Sequence, residues 1–367
     1  MIGICLAMNN MEFKINGFKC FDKENIFDLK QMTLLTGANS AGKSSVIQSL
    51  LLTKKAAESN DGKISFSDDE YSLDLGRYDD VVSIRSEGNI SFNLNGVCWS
   101  IKAEDINPND DGKCVKFRSE RIGDLRKVFQ TGFSFLSADR MAPRYEYKYS
   151  SGKDDLCNCQ GNNFGDVLNR HNGDNIESGR SLIGIENKLK LLLDEWVDYI
   201  FPGVNLLIKN TGSDSYKVME QGLFAATNIG FGITYALPIL INGLLMSRDG
   251  WFIIENPEAH LHPKAQSNMG YFLACMASTG VRVIVETHSE HIVNGIRRFA
   301  LKQGSQLKPD DVAIYFFKNN GGKREYEKID IDENGNLSDL PVDFFDQVRQ
   351  DMQQIIQLGA QLRKRND

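Results

Sequence analysis

Apolar residues recur along this chain in three rhythms, and each rhythm predicts a different kind of element. Alternation over "EFKINGFKCF" (12–21) and a short apolar run, "MTLLTG" (32–37), predict two opening strands, the second ending in a glycine-rich loop. Unbroken apolar runs in "GWFIIEN" (250–256) and "VRVIVETH" (281–288) predict buried parallel strands, because a strand covered on both faces has no polar side to show. Three-and-four spacing marks helices in "VIQSLLLTKKAA" (46–57), "IGIENKLKLLLDEWVDYIF" (183–201), "ITYALPILINGLLM" (233–246) and "KAQSNMGYFLACMAST" (264–279). Pro202-Gly203 stops the second of these, and Pro238 kinks or breaks the third.

Between these stretches the pattern is less regular. "VVSI", "ISFNL" and "CWSIKA" predict strands between residues 81 and 103, whereas the Asn-, Asp-, Gly- and Ser-rich stretch from Tyr147 to Asn175 reads as a flexible loop or insertion. After the second buried run, "VAIYFFKN" and "EYEKIDID" read as an antiparallel pair around "NGG", and "PVDFFDQVRQDMQQIIQLGAQL" as a terminal helix with a proline near its start. No repeat or long heptad run is visible. The expected organisation is an N-terminal part of the core (1–55), a β-rich segment with a helical insertion lobe (56–220), a C-terminal part of the core (221–310) and a small C-terminal region (311–367).

Composition narrows the class. The chain has 367 residues, 41% of them hydrophobic, enough for a sizeable buried core. Its longest apolar stretch, Ile233 to Met246, falls short of the roughly 20 residues a membrane span needs, so a soluble globular protein is expected. "MIGICLAMNN" lacks the basic region of a signal peptide and reads as a short leader, with Met8 or Met11 as alternative starts. Seven scattered cysteines fit a reducing cytoplasm, and the Cys157/Cys159 pair has no second pair beside it to complete a metal site. A net charge of −7 argues against a protein coated with basic surface, although a local groove around Arg297-Arg298 or the "RKR" tail could still meet nucleic acid.

Three motifs carry chemistry. "GANSAGKSS", Gly37 to Ser45, satisfies G-x-x-x-x-G-K-[ST] between a strand and a helix. Gly37 and Gly42 let the backbone N–H groups of Asn39, Ser40, Ala41 and their neighbours curl around phosphates, Lys43 reaches the β and γ phosphates, and Ser44, followed by Ser45, offers a hydroxyl to Mg²⁺. In "WFIIENPEAHLHP" an apolar strand ends in Glu255, placed to hold Mg²⁺ through water as the Walker B acid. In "VRVIVETHSEH" another strand delivers Thr287-His288-Ser289 to the same edge, where His288 can donate to the γ phosphate of ATP. His260, His262, His288 and His291 fall in these two stretches, but the zinc-helix spacing H-E-x-x-H is absent.

Together these motifs resemble the ABC-type head ATPases of the SMC, RecF and OLD-like group, a branch of P-loop NTPases. "ENPEAHLHPKAQSNMG", "ETHSEHIVNGIRR", "SADRMAPR" and "GNLSDLPVDFFD" resemble more narrowly the stand-alone bacterial AAA-type ATPases with an uncharacterised C-terminal domain, relatives of which serve in phage defence. The resemblance is strongest over 12–50 and 130–350. It implies an α/β P-loop NTPase of ABC-type head architecture, with a mixed β-sheet and a helical lobe. It also implies that "TNIGFGITYALPIL" (227–240) is a degenerate signature whose Asn228, Gly230 and Gly232 face the γ phosphate of ATP held by a second subunit. A homodimer or higher assembly around ATP and Mg²⁺, regulating a nuclease or toxin effector in trans in antiviral defence, is the function implied. The alternatives are a RecF-like DNA-repair or DNA-end-binding ATPase and a non-hydrolysing scaffold held by ATP.

Two departures qualify this reading. Only 76 residues follow His291, too few for the nuclease domain of about a hundred residues that completes OLD nucleases, and "DIDENG" is an isolated acidic turn. Asn256 stands where such heads carry the glutamate that deprotonates or orients the attacking water; an amide can position water but cannot take its proton. Slow hydrolysis assisted by Glu258 or His288, or no hydrolysis at all, is expected.

Overall fold

The computed structural model describes residues 10–106, 111–149, 154–211, 215–220, 224–225, 231–321, 323–338, 344–345 and 347–366. Its centre is a six-stranded sheet in the order Phe133–Leu136, Trp251–Glu255, Arg282–Glu286, Met32–Gly37, Val312–Asn320, Lys323–Ile329. The first five strands are mutually parallel and the last is antiparallel to its neighbour, which gives the expected α/β class with a mixed sheet. Strands from all four expected segments build this one sheet.

The alternation of side chains divides the core in two. Met32, Leu34, Phe252, Ile254, Val283 and Val285 enter one apolar cluster, while Leu35, Trp251, Ile253 and Ile284 enter another on the opposite face. Helices Leu189–Ile200, Phe231–Leu245, Pro263–Ser278 and Glu290–Ala300 cover the first face, and helix Lys43–Glu58 covers the second. Beside it lies an antiparallel sheet in the order Asn25–Leu29, Met11–Asn16, Ile90–Leu94, Val97–Ile101. With both faces covered, the central strands tolerate no polar alternation, so their sequences are unbroken apolar runs.

Helices Pro263–Ser278 and Glu290–Ala300 approach backbone to backbone. A Cβ on Gly270 would stand 2.2 Å from the carbonyl oxygen of Ile292, and one on Gly295 would stand 2.0 Å from that of Ser267. This close packing fixes the two helices that follow the Glu255 and Glu286 strands.

Several expectations need correction. The opening region holds three strands, because "EFKINGFKCF" stops at Asn16 and "NIFDL" forms a strand of its own. "VVSI" is not a strand: Tyr78–Val81 is a short helix and only Val82 makes a bridge. The polar stretch from Tyr147 to Asn175 contains helix Phe164–His171, and Cys157 and Cys159 are buried there. The Cys157 N–H donates to Asn242 Oδ1 at 2.7 Å, which ties this stretch to helix Phe231–Leu245. Pro238 lies inside helix Phe231–Leu245 without ending it. Among the described residues no helix is long and apolar enough to cross a membrane. The terminal helix runs Gln347–Asn366; the proline expected near its start lies outside the described residues.

Candidate functional site

The parallel strands all present their C-terminal ends on one side, and the chemistry gathers there. Strand Met32–Gly37 turns through Gly37 (φ 118°) and Ser40 (φ 57°) into helix Lys43–Glu58, whose N-cap is Gly42 at φ 118°. Glycine is required at both turns. A Cβ on Gly37 would stand 2.2 Å from the carbonyl oxygen of Phe317, and one on Gly42 would stand 2.9 Å from Cys20 Sγ. Asn39, Ser40, Gly42, Lys43, Ser44 and Ser45 line a cleft of about 320 Å³ together with Glu286, Lys19 and Arg324. Ala41 is buried beneath the loop.

Lys43 is only 3% exposed. Its Nζ donates to the carbonyl oxygens of Gly37 (3.0 Å) and Ala38 (2.7 Å), so the ammonium is satisfied by the loop itself. Burial lowers its pKa, while Glu286 and Glu258 act the other way. Ser44 Oγ donates to Glu286 Oε1 at 3.0 Å.

The two acidic strand ends lie side by side, with Glu255 in register with Glu286. Glu255 Oε2 accepts from the Ala138 N–H at 3.0 Å, and burial raises its pKa against the opposing pull of that hydrogen bond and Arg140. Glu286 is pushed up to about 7, by burial first and by the Glu255 charge next, with Lys43 and Ser44 opposing. Its Oε2 is buried with no hydrogen-bond partner among the described residues. The sign of this shift predicts a pH effect. Between the ordinary carboxyl value of 4.5 and about 7 the folded chain keeps a proton that the unfolded chain has released. Nucleotide-free protein is therefore expected to lose stability as pH rises through that window, by about 1.4 kcal/mol per pH unit for one such group, and to level off above it. Thermal melting between pH 5 and pH 8 checks this, and Glu286→Gln is expected to flatten the curve.

Asn256 follows Glu255 in a left-handed conformation (φ 45°), and its N–H donates to the Glu286 carbonyl oxygen at 2.8 Å. Its Oδ1 is buried without a partner among the described residues. Arg140 holds this turn: its guanidinium donates to the carbonyl oxygens of Ser137, Glu255 and Asn256, each at 2.7 Å. Burial lowers the Arg140 pKa to about 10.

Glu258 spans the next gap. Its Oε2 accepts from Thr287 Oγ1 and its Oε1 from the His288 N–H, both at 2.7 Å. Both carboxylate oxygens are thus engaged in positioning the His288 turn. The pKa of His288 is lowered by burial and then by Lys43, which leaves a neutral imidazole beside the phosphate loop. The other histidines separate: His260 packs against Phe231 and Tyr235, His262 Nδ1 caps helix Pro263–Ser278, and His291 sits on the helix after the turn. Among the described residues no group of three or more His, Cys, Asp or Glu could hold a metal ion by itself.

Of the signature residues, Asn228 and Gly230 lie outside the described residues. Gly232 is in the first turn of helix Phe231–Leu245, where a Cβ would stand 2.6 Å from the His260 carbonyl oxygen. Sequence reasoning missed Glu286, Arg140, Lys19 and Arg324. A signal for Glu286 was present, since "VRVIVETH" ends its apolar run in a carboxylate just as "WFIIEN" does.

Three family models match this sequence: an AAA domain over residues 12–188, an AAA ATPase domain over 182–293, and a protein of unknown function (DUF3696) over 307–355. No curated protein matches. Among solved structures, the chain is similar to the SMC head domain from Thermotoga maritima, at 12% identity and a TM-score of 0.46, covering 88% of this chain and 100% of that one. It is also similar to an SmcHead bound to the C-winged helix domain of ScpA, at 10% identity and a TM-score of 0.49, covering 89% and 99%. A third similar structure is an Smc head with an extended coiled coil bound to the C-terminal domain of ScpA from Pyrococcus furiosus, at 10% identity and a TM-score of 0.46, covering 88% and 96%. Two AAA-type ATPase domain models thus match this chain, over residues 12–188 and 182–293, and its central sheet is of the α/β kind with the phosphate-loop motif between strand Met32–Gly37 and helix Lys43–Glu58.

Proposed function

We propose that this chain binds ATP with Mg²⁺, dimerises around the nucleotide, and uses its nucleotide state to regulate a separate effector, a nuclease or toxin of bacterial antiphage defence. The observation that carries the nucleotide step is the loop from Gly37 to Ser45, with a buried Lys43 held only by loop carbonyls and Ser44 bonded to an acidic strand end. That donor set fits Mg·ATP: a glycine cradle with no room for side chains, a cation at its base, and a buried carboxylate oxygen lacking a partner among the described residues. Mg²⁺, when bound, neutralises charge on the β and γ phosphates. Dimerisation rests on the resemblance of "TNIGFGITYALPIL" to a signature, and the effector on the kinship of the motifs to defence ATPases.

In this reading Lys43 binds the phosphates, and His288 donates to the γ phosphate from a turn that Glu258 holds in place. Asn256 aims its amide at the attacking water without taking a proton. Turnover is therefore expected to be slow, below about one per second, because positioning persists and the base is absent. Phosphate release at saturating Mg·ATP, with Lys43→Ala as background, measures it. Rapid turnover would mean that another group takes the proton. No turnover with ATP retained would favour the second reading, a dimer held shut by nucleotide, in which the Asn256 amide cannot take the proton of water.

A further inference from the structure

We propose that Glu286, and not Glu255 alone, is the carboxylate that joins Ser44 in holding the divalent cation of a bound nucleoside triphosphate. This inference rests on the P-loop reading above and adds a residue to the same site.

Strand order is the first ground. Arg282–Glu286 lies between Trp251–Glu255 and the P-loop strand. With neighbouring strands about 4.8 Å apart, the Glu286 strand stands one spacing from the phosphate loop and the Glu255 strand two. The second ground is the contact itself. The hydroxyl that the loop motif commits to the cation, Ser44 Oγ, is bonded to Glu286 Oε1 at 3.0 Å. Two oxygens on adjacent corners of an Mg²⁺ octahedron, each about 2.0–2.1 Å from the metal, stand about 2.9 Å apart, so this pair already has the spacing of two positions around one ion or its bound water.

The third ground is what each carboxylate lacks. Glu286 Oε2 is buried and has no partner among the described residues, so it leaves an acceptor for a cation or a cation-bound water. Glu255 is held from the other side: its Oε2 takes the Ala138 N–H and its main-chain carbonyl takes Arg140, both from the segment that follows the strand on its far side.

The test compares binding of a fluorescent ATP analogue to the full chain in EDTA and in Mg²⁺, for wild type, Glu286→Gln and Glu255→Gln. Glu286→Gln is expected to lose at least tenfold of the affinity gained with Mg²⁺, read as the ratio of affinities in Mg²⁺ and in EDTA for each protein. Glu255→Gln is expected to lose less of the gain than Glu286→Gln does. The width of the electron paramagnetic resonance line of Mn²⁺ in the Mn·ATP complex should change with Glu286→Gln, a readout independent of turnover. A Glu286→Gln protein with the full Mg²⁺ gain, or loss of the gain confined to Glu255→Gln, would overturn the proposal. Should Glu286→Gln not fold, Glu286→Asp, which withdraws the charge by one methylene, must weaken Mg·ATP relative to EDTA binding, and an unchanged gain there overturns it equally. The P-loop reading has its own control: Lys43→Ala binding the analogue as tightly as wild type would sink that reading whatever Glu286 does.

Discussion

Replacing Lys43 with alanine is expected to weaken Mg·ATP binding at least a hundredfold while leaving the protein folded. The ammonium is buried at the base of the loop and makes two charge-assisted hydrogen bonds, to the Gly37 and Ala38 carbonyl oxygens. When phosphate oxygens occupy the loop they replace those carbonyls as stronger acceptors. Each such bond is worth about 1.5–3 kcal/mol, and a hundredfold corresponds to about 2.7 kcal/mol, so even one lost bond approaches the expected change. Stability should move little, because the substitution also removes the cost of burying a cation whose pKa is already lowered by desolvation. Calorimetric titration with ATP reads the affinity and thermal melting reads the fold. An unchanged affinity would mean that the nucleotide, if bound, lies elsewhere.

The second large effect is expected at Arg140. Its three 2.7 Å bonds to the carbonyls of Ser137, Glu255 and Asn256 hold the turn that carries the acidic strand end, with Asn256 in the left-handed region. Arg140→Met preserves much of the volume and removes every donor. Stranding buried carbonyl oxygens costs about 1–3 kcal/mol apiece, while relaxation of the turn and release of a buried cation recover part of it, so a loss of about 3–5 kcal/mol is expected. For a chain of this length that is a fall of roughly 5 °C in melting temperature. Arg140→Lys should recover only part of the loss, because an ammonium cannot serve the three acceptors with the planar fork of a guanidinium. Melting that matches wild type in Arg140→Met would show that the turn holds itself.

The P-loop was legible because its chemistry is local: nine consecutive residues supply two glycines, a lysine and a serine, and the strand and helix around them follow from uninterrupted rhythm. The buried strands were legible for the same reason. Short or mixed stretches failed. "NIFDL" has too little alternation to stand out as a strand, and "VVSI" is β-branched yet closes a helical turn, because its neighbours and not its own propensity decide its pairing. The polar stretch around Cys157 reads as a loop by composition, yet the Asn242 side chain satisfies its backbone and draws the thiol inside.

By itself, then, the sequence determined the class of the fold, the loop that cradles phosphate, and the absence of a glutamate after Glu255, since each depends on residues adjacent in the chain. The tertiary structure alone decided strand order and register. Those set Glu286 beside Ser44, 242 residues away, committed Glu258 to the His288 turn, and brought Arg140 under Asn256 across 116 residues. No periodicity encodes such pairings. They arise when strands distant in the chain are hydrogen-bonded in register, and the free energy that selects that register comes from burying both faces of the sheet.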